Sequence, residues 1–190
     1  MSEAISLTPR QQKLCALWEA HTQAEFVAHS VEETMATMCE GAHLINIPVM
    51  TGGVGLTEVR EFYAKKFIPN LPEDIETVLI SRTIGESQIV DELILKFTHT
   101  VSMPWMLPGI APTGQRVEVP LVVIIGFKSD KVSHEHIYWD QASVLVQTGL
   151  LDASKLPVVG IESATHVEKV SRALSHGIQK VQPVKTAKTP

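Results

Sequence analysis

The sequence predicts an α+β chain with its helices segregated to one side of a mixed sheet. Two observations predict it. The hydrophobic period is helical as far as Pro72 and alternating from Glu76 onward. The element order is helix-helix-strand-helix, then four long strands, then short helices. No βαβ series and no internal repeat occurs, so a doubly wound dinucleotide fold is not expected.

Residues 1–7 read as a lead-in. Thr8-Pro9-Arg10-Gln11 starts the first helix: Thr8 caps, Pro9 suits the first turn, and Gln11 completes a capping box. Leu14, Leu17, Trp18 and His21 share one side, and the helix should end near His29. Ser30-Val31-Glu32-Glu33 opens a second helix through Met35 and Met38, stopped by Gly41. Its methionines read as core filler. His43 to Val49 is a short strand. Thr51-Gly-Gly-Val-Gly55 lacks the spacing of a phosphate loop and reads as a turn. Thr57 should cap a third helix with an apolar stripe of Val59, Phe62, Tyr63 and Phe67, ended by Pro69 and Pro72.

Glu76–Ile84 and Ile89–Val101 are strands joined by Gly85–Gln88. On the second, Asp91, Leu93, Leu95, Phe97 and His99 share a face, like a cavity wall with polar groups set into it. The loop Ser102–Arg116 is rich in Pro, Met and Trp, the composition of a cover. Val117–Phe127 is a nearly continuous apolar strand, and Ser129-Asp-Lys131 turns the chain into the last strand. Ala142–Thr148 is a short helix stopped by Gly149, and Ser163–His176 a last amphipathic helix stopped by Gly177.

The 190 residues suit one domain and a tail, and 44% hydrophobic with 19% charged residues is a globular composition. A net charge of −5 with no basic cluster argues against a nucleic-acid partner. Cys15 and Cys39 both fall in predicted helices outside any CxxC pair. They predict no structural disulfide and suit a reducing compartment. No signal-peptide pattern and no apolar run of membrane-spanning length is present, so a soluble, cytoplasmic protein without a membrane partner is expected.

The densest chemistry runs from His134 to Gly149. On a strand, His134, His136, Tyr138 and Asp140 point one way, and Glu135, Ile137, Trp139 and Gln141 the other. The first face carries a base, an acid and a hydroxyl in register.

Three stretches together resemble a known family: Gly55-Leu-Thr-Glu-Val-Arg-Glu-Phe-Tyr63, Ala111-Pro-Thr-Gly-Gln-Arg-Val-Glu-Val119, and Phe127 to Asp140 with its trailing helix. They resemble the SnoaL-like polyketide cyclases of the nuclear-transport-factor-2-like (NTF2-like) superfamily. The resemblance implies a cone-shaped, curved mixed sheet wrapped around the N-terminal helices over residues 8–150. A helical extension (151–178) and a tail (179–190) lie beyond it. It also implies an apolar pocket and a homodimer. The family places a working Asp and His in the cone, and Asp140 and His99 are the matching positions. The turn Ser129-Asp-Lys131 departs from the family's usual Asp-Gly.

The functional expectation is a small hydrophobic or polyketide-like carbonyl compound, handled without a cofactor. Asp140 would remove a proton beside the carbonyl, and His99 or Tyr138 would stabilise the enolate. Cyclisation, isomerisation or dehydration could follow. Tyr138, His136, Trp105, Asn46, Asp91, Phe62 and Trp18 are the expected substrate contacts. Each has a structural counterpart: Asp140 also suits the cap of the helix at Ala142, and a lone His99 suits a satisfied core group. Two rival functions are a non-catalytic binding or interaction module on the same fold, and a metal site of His134, His136 and Asp140.

Overall fold

In the computed structural model, which describes residues 6–174, helix α1 (Pro9–Phe26) begins as its sequence requires. Thr8 Oγ1 accepts from the Gln11 backbone N–H, and the Gln11 side chain accepts from the Thr8 N–H. Its buried stripe runs Leu14, Trp18, His21 and Glu25, so apolar groups give way to a base and an acid toward the C-terminal end. Helix α2 (Val31–Ala36), capped by Ser30, is shorter than expected. The chain is already extended at Met38, where strand β1 (Met38–Asn46) starts. The helical reading to Gly41 is thus corrected: pairing of β1 beside the last strand overrides a weak local helix preference. Cys39 accordingly lies on a strand, and both cysteines are free thiols.

The glycine-rich stretch is also more than a turn. Thr51–Val54 forms strand β2, antiparallel to β1. Gly52 has φ +139°, and a Cβ there would stand 1.9 Å from the Leu44 carbonyl oxygen. Helix α3 (Gly55–Phe62) starts two residues before Thr57. The Glu58 carboxylate, not Thr57, answers its end by accepting from the Val54 N–H at 2.9 Å. The helix continues into one π-turn (Tyr63–Phe67) and a 3₁₀ turn (Ile68–Asn70).

The remaining strands are β3 (Glu76–Ile84), β4 (Gln88–Thr98), β5 (Arg116–Lys128) and β6 (Lys131–Trp139). The sheet order is β2-β1-β6-β5-β4-β3; only β1 and β6 run parallel. Bulges interrupt β3 between Leu79 and Ser81 and β6 at Ser133. The second sets the whole site. Val132 and Glu135 are both buried although three residues apart, because the extra residue shifts the alternation. Glu135 and Ile137 therefore face inward, and His134 and His136 outward.

The inner face closes over α1, α3 and the π-turn, with a core that includes Leu14, Phe62, Phe97, Val119 and Ile125. The apolar loop after β4 plugs one end: Met103, Trp105, Met106 and Leu107 are all buried. Trp105 O accepts from Thr51 Oγ1 (2.8 Å) and Met106 O from Gln141 Nε2 (3.1 Å), which fixes the plug to the sheet and to helix α4 (Gln141–Gln147). Helix α5 (Glu162–Leu174) packs on the outer face of the sheet. There Lys96 Nζ reaches Glu168 at 3.0 Å and Glu118 at 3.1 Å. Gly177 and the tail lie outside the described residues. No helix among the described residues is long and apolar enough to cross a membrane.

Candidate active site

Between α1, the π-turn and the inner face lies a cavity of about 140 Å³. Its wall is mostly apolar: Phe26, Leu44, Phe62, Phe67, Leu79, Leu93, Leu95, Trp105, Leu121, Val123 and Ile137. Two polar groupings break it.

The first is built on His21. One helical turn separates His21 from Glu25, and the inward register of β6 brings Glu135 to meet them. His21 Nε2 stands 3.2 Å from Glu25 Oε1 and 3.2 Å from Glu135 Oε1. The Tyr63 hydroxyl, from the π-turn, donates to Glu135 Oε1 at 3.0 Å and lies 3.2 Å from His21 Nε2. On the far side of the ring, His21 Nδ1 is 2.6 Å from Thr37 Oγ1. Thr37 spends its own hydrogen on the Thr34 carbonyl, also at 2.6 Å. The Thr37 oxygen must then accept, so His21 Nδ1 is the donor and Nε2 is turned to the two acids.

All four side chains are buried. Burial alone would lower the His21 pKa, but the Glu25 and Glu135 carboxylates outweigh it and raise it to about 10. Burial raises the Glu25 pKa, partly opposed by His21, and burial raises Tyr63 well above its ordinary value. One cation thus bridges two carboxyl groups, and burial pushes Glu25 toward its protonated form. Glu25, Tyr63 and Glu135 line the cavity, with His21 behind them. The donor atoms of His21, Glu25 and Glu135 lie within 4.8 Å of one another, a set that could also hold a divalent cation. The hydrogen bonds already satisfy each of them.

The second grouping is Asp91, Arg82 and Trp18. Arg82 binds Asp91 through two parallel hydrogen bonds (2.6 and 2.8 Å), and the Trp18 indole donates to Asp91 Oδ2 at 2.8 Å. Arg82 also reaches Glu19 at 3.5 Å. Elsewhere on the wall, the Trp105 Nε1–H is buried and has no hydrogen-bond partner among the described residues.

No family model matches the sequence, and no curated protein matches it either. Solved structures do. A protein of Jannaschia sp. CCS1 assigned to the SnoaL-like polyketide cyclases superposes with a TM-score of 0.58 at 17% identity, over 77% of this chain and 99% of its own. An NTF2-like protein from Burkholderia xenovorans LB400 gives 0.55 at 14% identity, over 73% and 97%. A hypothetical protein with a ketosteroid-isomerase-like fold from Catenulispora acidiphila DSM 44928, in complex with trimethylamine, gives 0.54 at 11% identity, over 71% and 93%. The fold is that of the NTF2-like proteins.

Within this NTF2-like cone, the residues singled out from sequence divide into two groups. Trp18, Asn46, Phe62, Asp91 and Trp105 line the cavity. Asn46 donates to Thr51 Oγ1 at 3.1 Å. Asp91 is buried in the wall. The other four stand outside the cavity. Asp140 is exposed and caps α4, accepting from the Ala142 and Ser143 N–H groups at 2.9 and 3.2 Å. His99 is buried beyond the cavity, where its Nδ1 accepts from the Thr113 N–H at 3.2 Å. Burial lowers the His99 pKa. Tyr138 is 41% exposed, and His136 faces outward with His134. For Tyr138, His136 and Asp140 the expected placement is corrected because the inward face of β6 is the Glu135 face; His99, just past the end of β4, is instead tied to the Thr113 backbone.

His134 and His136 do not meet Asp140; they meet His43 on β1. His43 Nε2 lies 3.0 Å from His136 Nε2. Burial first, then the neighbouring imidazoles, lowers the pKa of His134; burial and His43 lower that of His136.

Sequence reasoning placed His21 and Tyr63 on apolar helix faces and Glu135 on the second face of the last strand, but singled out none of them, nor Glu25 or Arg82, as a site residue. A signal existed for two of them. Glu25 extends the α1 stripe of Leu14, Trp18 and His21, and an acid on a buried stripe needs a partner. Glu135 alternates with Ile137 and Trp139, the more apolar face of β6. Nothing local marked Arg82 or the π-turn that places Tyr63.

Proposed function

We propose that the cavity binds a small, largely apolar molecule carrying one carbonyl oxygen, and that Glu135 moves a proton on it. The observation that carries this reading is the placement of Glu25, Glu135 and Tyr63 around His21 on the wall of a mostly apolar cavity. Such a setting strengthens electrostatic interactions, and burial pushes the Glu25 carboxyl toward its protonated form. Size supports a compact ligand: about 140 Å³ is close to the roughly 150 Å³ that takes one benzene in an engineered cavity. A single ring or a short branched chain suits it better than a fused polyketide.

In this mechanism Glu135 takes the proton from the carbon beside the carbonyl. The electron pair moves into the carbonyl, and the unpartnered Trp105 N–H donates to the resulting enolate oxygen. The proton that Glu135 took, or one from the neighbouring Glu25 carboxyl, returns to carbon. Isomerisation balances with the proton returned to another carbon; in dehydration the enolate instead expels a β-hydroxyl, which leaves as water with that proton, and in ring closure the enolate carbon attacks a second carbonyl of the same molecule, whose oxygen takes the proton. The fold relatives add breadth: among structures of this fold are a protein assigned to the polyketide cyclases and one with bound trimethylamine.

The test is hydrogen–deuterium exchange beside the carbonyl of small cyclic ketones in deuterated water, with binding followed by protein NMR. Wild type should bind and exchange. Glu135→Gln should bind but exchange at least ~100-fold more slowly. Equal exchange in both proteins would remove Glu135 from the mechanism. Binding that Leu93→Trp blocks, with no exchange in wild type, would favour a non-catalytic binding module, the second reading.

A further inference from the structure

The outer face of the sheet carries a cluster that the cavity chemistry does not use. His43 projects from β1, and His134 and His136 from the neighbouring parallel strand β6. The register pairs His43 with His134 and Ile45 with His136, so the three imidazoles occupy adjacent positions on one face. The rings lie 4.8 Å (His134–His136), 5.1 Å (His43–His136) and 5.3 Å (His43–His134) apart between centroids. All three are partly exposed. Gly126 on β5 makes room for this: a Cβ there would come within 2.0 Å of the His134 ring.

We propose that His43 and His136, joined by His134, form a surface site for a borderline divalent transition metal such as zinc, nickel or copper. His43 Nε2 and His136 Nε2 are 3.0 Å apart. Two nitrogens each about 2.0–2.1 Å from one ion stand only slightly farther apart than this. The two rings are therefore almost in place as ligands. Without metal they share one N–H, one ring donating to the lone pair of the other. An ion needs both lone pairs, so that hydrogen moves to the Nδ1 of its own ring and no proton need be released. His134 completes the set by turning its ring toward the pair, giving up a 3.4 Å contact with Ser133 Oγ. Water fills the remaining position, as expected for an open site on a surface. Imidazole ligands suit zinc, nickel and copper better than magnesium or calcium. Asp140 takes no part, because it is committed to the α4 cap. The site lies on the opposite face of β6 from Glu135, so its presence is independent of the cavity's activity.

The test is isothermal titration of tag-free protein with zinc chloride, with ¹⁵N histidine NMR as a second readout. One ion per chain should bind in the micromolar range, and the His43 and His136 ring nitrogens should shift as the shared N–H is displaced. His43→Gln and His136→Gln should each weaken binding by at least about tenfold, since even groups that only orient a ligand are worth that much. His134→Gln should weaken it less. Far-UV circular dichroism confirms that each variant is folded, and Glu25→Gln should bind zinc like wild type. Absence of binding below millimolar zinc overturns the proposal. So does binding that survives both the His43 and His136 substitutions, or binding that is lost in Glu25→Gln.

Discussion

The Tyr63 hydroxyl donates to Glu135 Oε1 at 3.0 Å, the same oxygen that faces His21 Nε2 at 3.2 Å. A residue from a π-turn thus helps to fix an acid from the last strand. Tyr63→Phe removes the hydroxyl and leaves the buried carboxylate short of a donor. The expected cost is about 1–3 kcal/mol, measured by urea unfolding. At roughly 2–4 °C per kcal/mol for a chain of this size, melting should fall by several degrees. No loss would mean that Tyr63 packs without contributing through its hydroxyl.

Stability should decline toward alkaline pH. The pKa of His21 in the folded protein, raised to about 10, lies above the ordinary imidazole value of 6.5. Its contribution is fully present below about pH 6.5 and is lost as pH rises through about 10. The raised Glu25 pKa acts in the same direction, because ionising a buried acid costs the folded state more than the unfolded one. Melting temperature measured across this window should fall, and ¹⁵N NMR should find His21 doubly protonated at pH 8. A neutral His21 ring at that pH would refute the bridging-cation arrangement.

Asp140→Ala should cost about 0.5–2 kcal/mol, the usual value of an N-cap. Asp140→Asn should be nearly neutral, because asparagine caps as well. Neither should alter ketone binding or exchange. A folded Asp140→Asn protein that had lost exchange would return Asp140 to the chemistry.

Gly52→Ala should be among the most damaging single-methyl additions. Its φ of +139° is hostile to a side chain, and the new Cβ would collide with the Leu44 carbonyl oxygen. Loss of the β1–β2 pairing would loosen Thr51 and, through it, Trp105. Protease digestion should show cleavage near residues 50–54 in this variant at conditions that leave wild type intact.

Much of the fold was legible in the sequence because its signals are local. The Thr8 capping box, the Ser30 cap, the strand Glu76–Ile84 and the change of period before it all correspond to observed elements. So does the inward face of β4 that carries Asp91, Leu93 and Leu95. Where strand pairing decided the conformation, local reading went astray. Met38–Gly41 joined β1 and Thr51–Val54 joined β2 because distant partners supplied their hydrogen bonds.

By itself, the sequence determined the class of fold, the apolar plug before β5 and the presence of an acid-and-histidine-rich last strand. Only the tertiary structure decided which of those groups face the cavity. One bulge at Ser133 turns Glu135 in and His134 and His136 out, since strand side chains alternate with a period of two. Bringing His21 and Glu25 to Glu135, or His43 to His136, depends on contacts between remote segments, which no local pattern records.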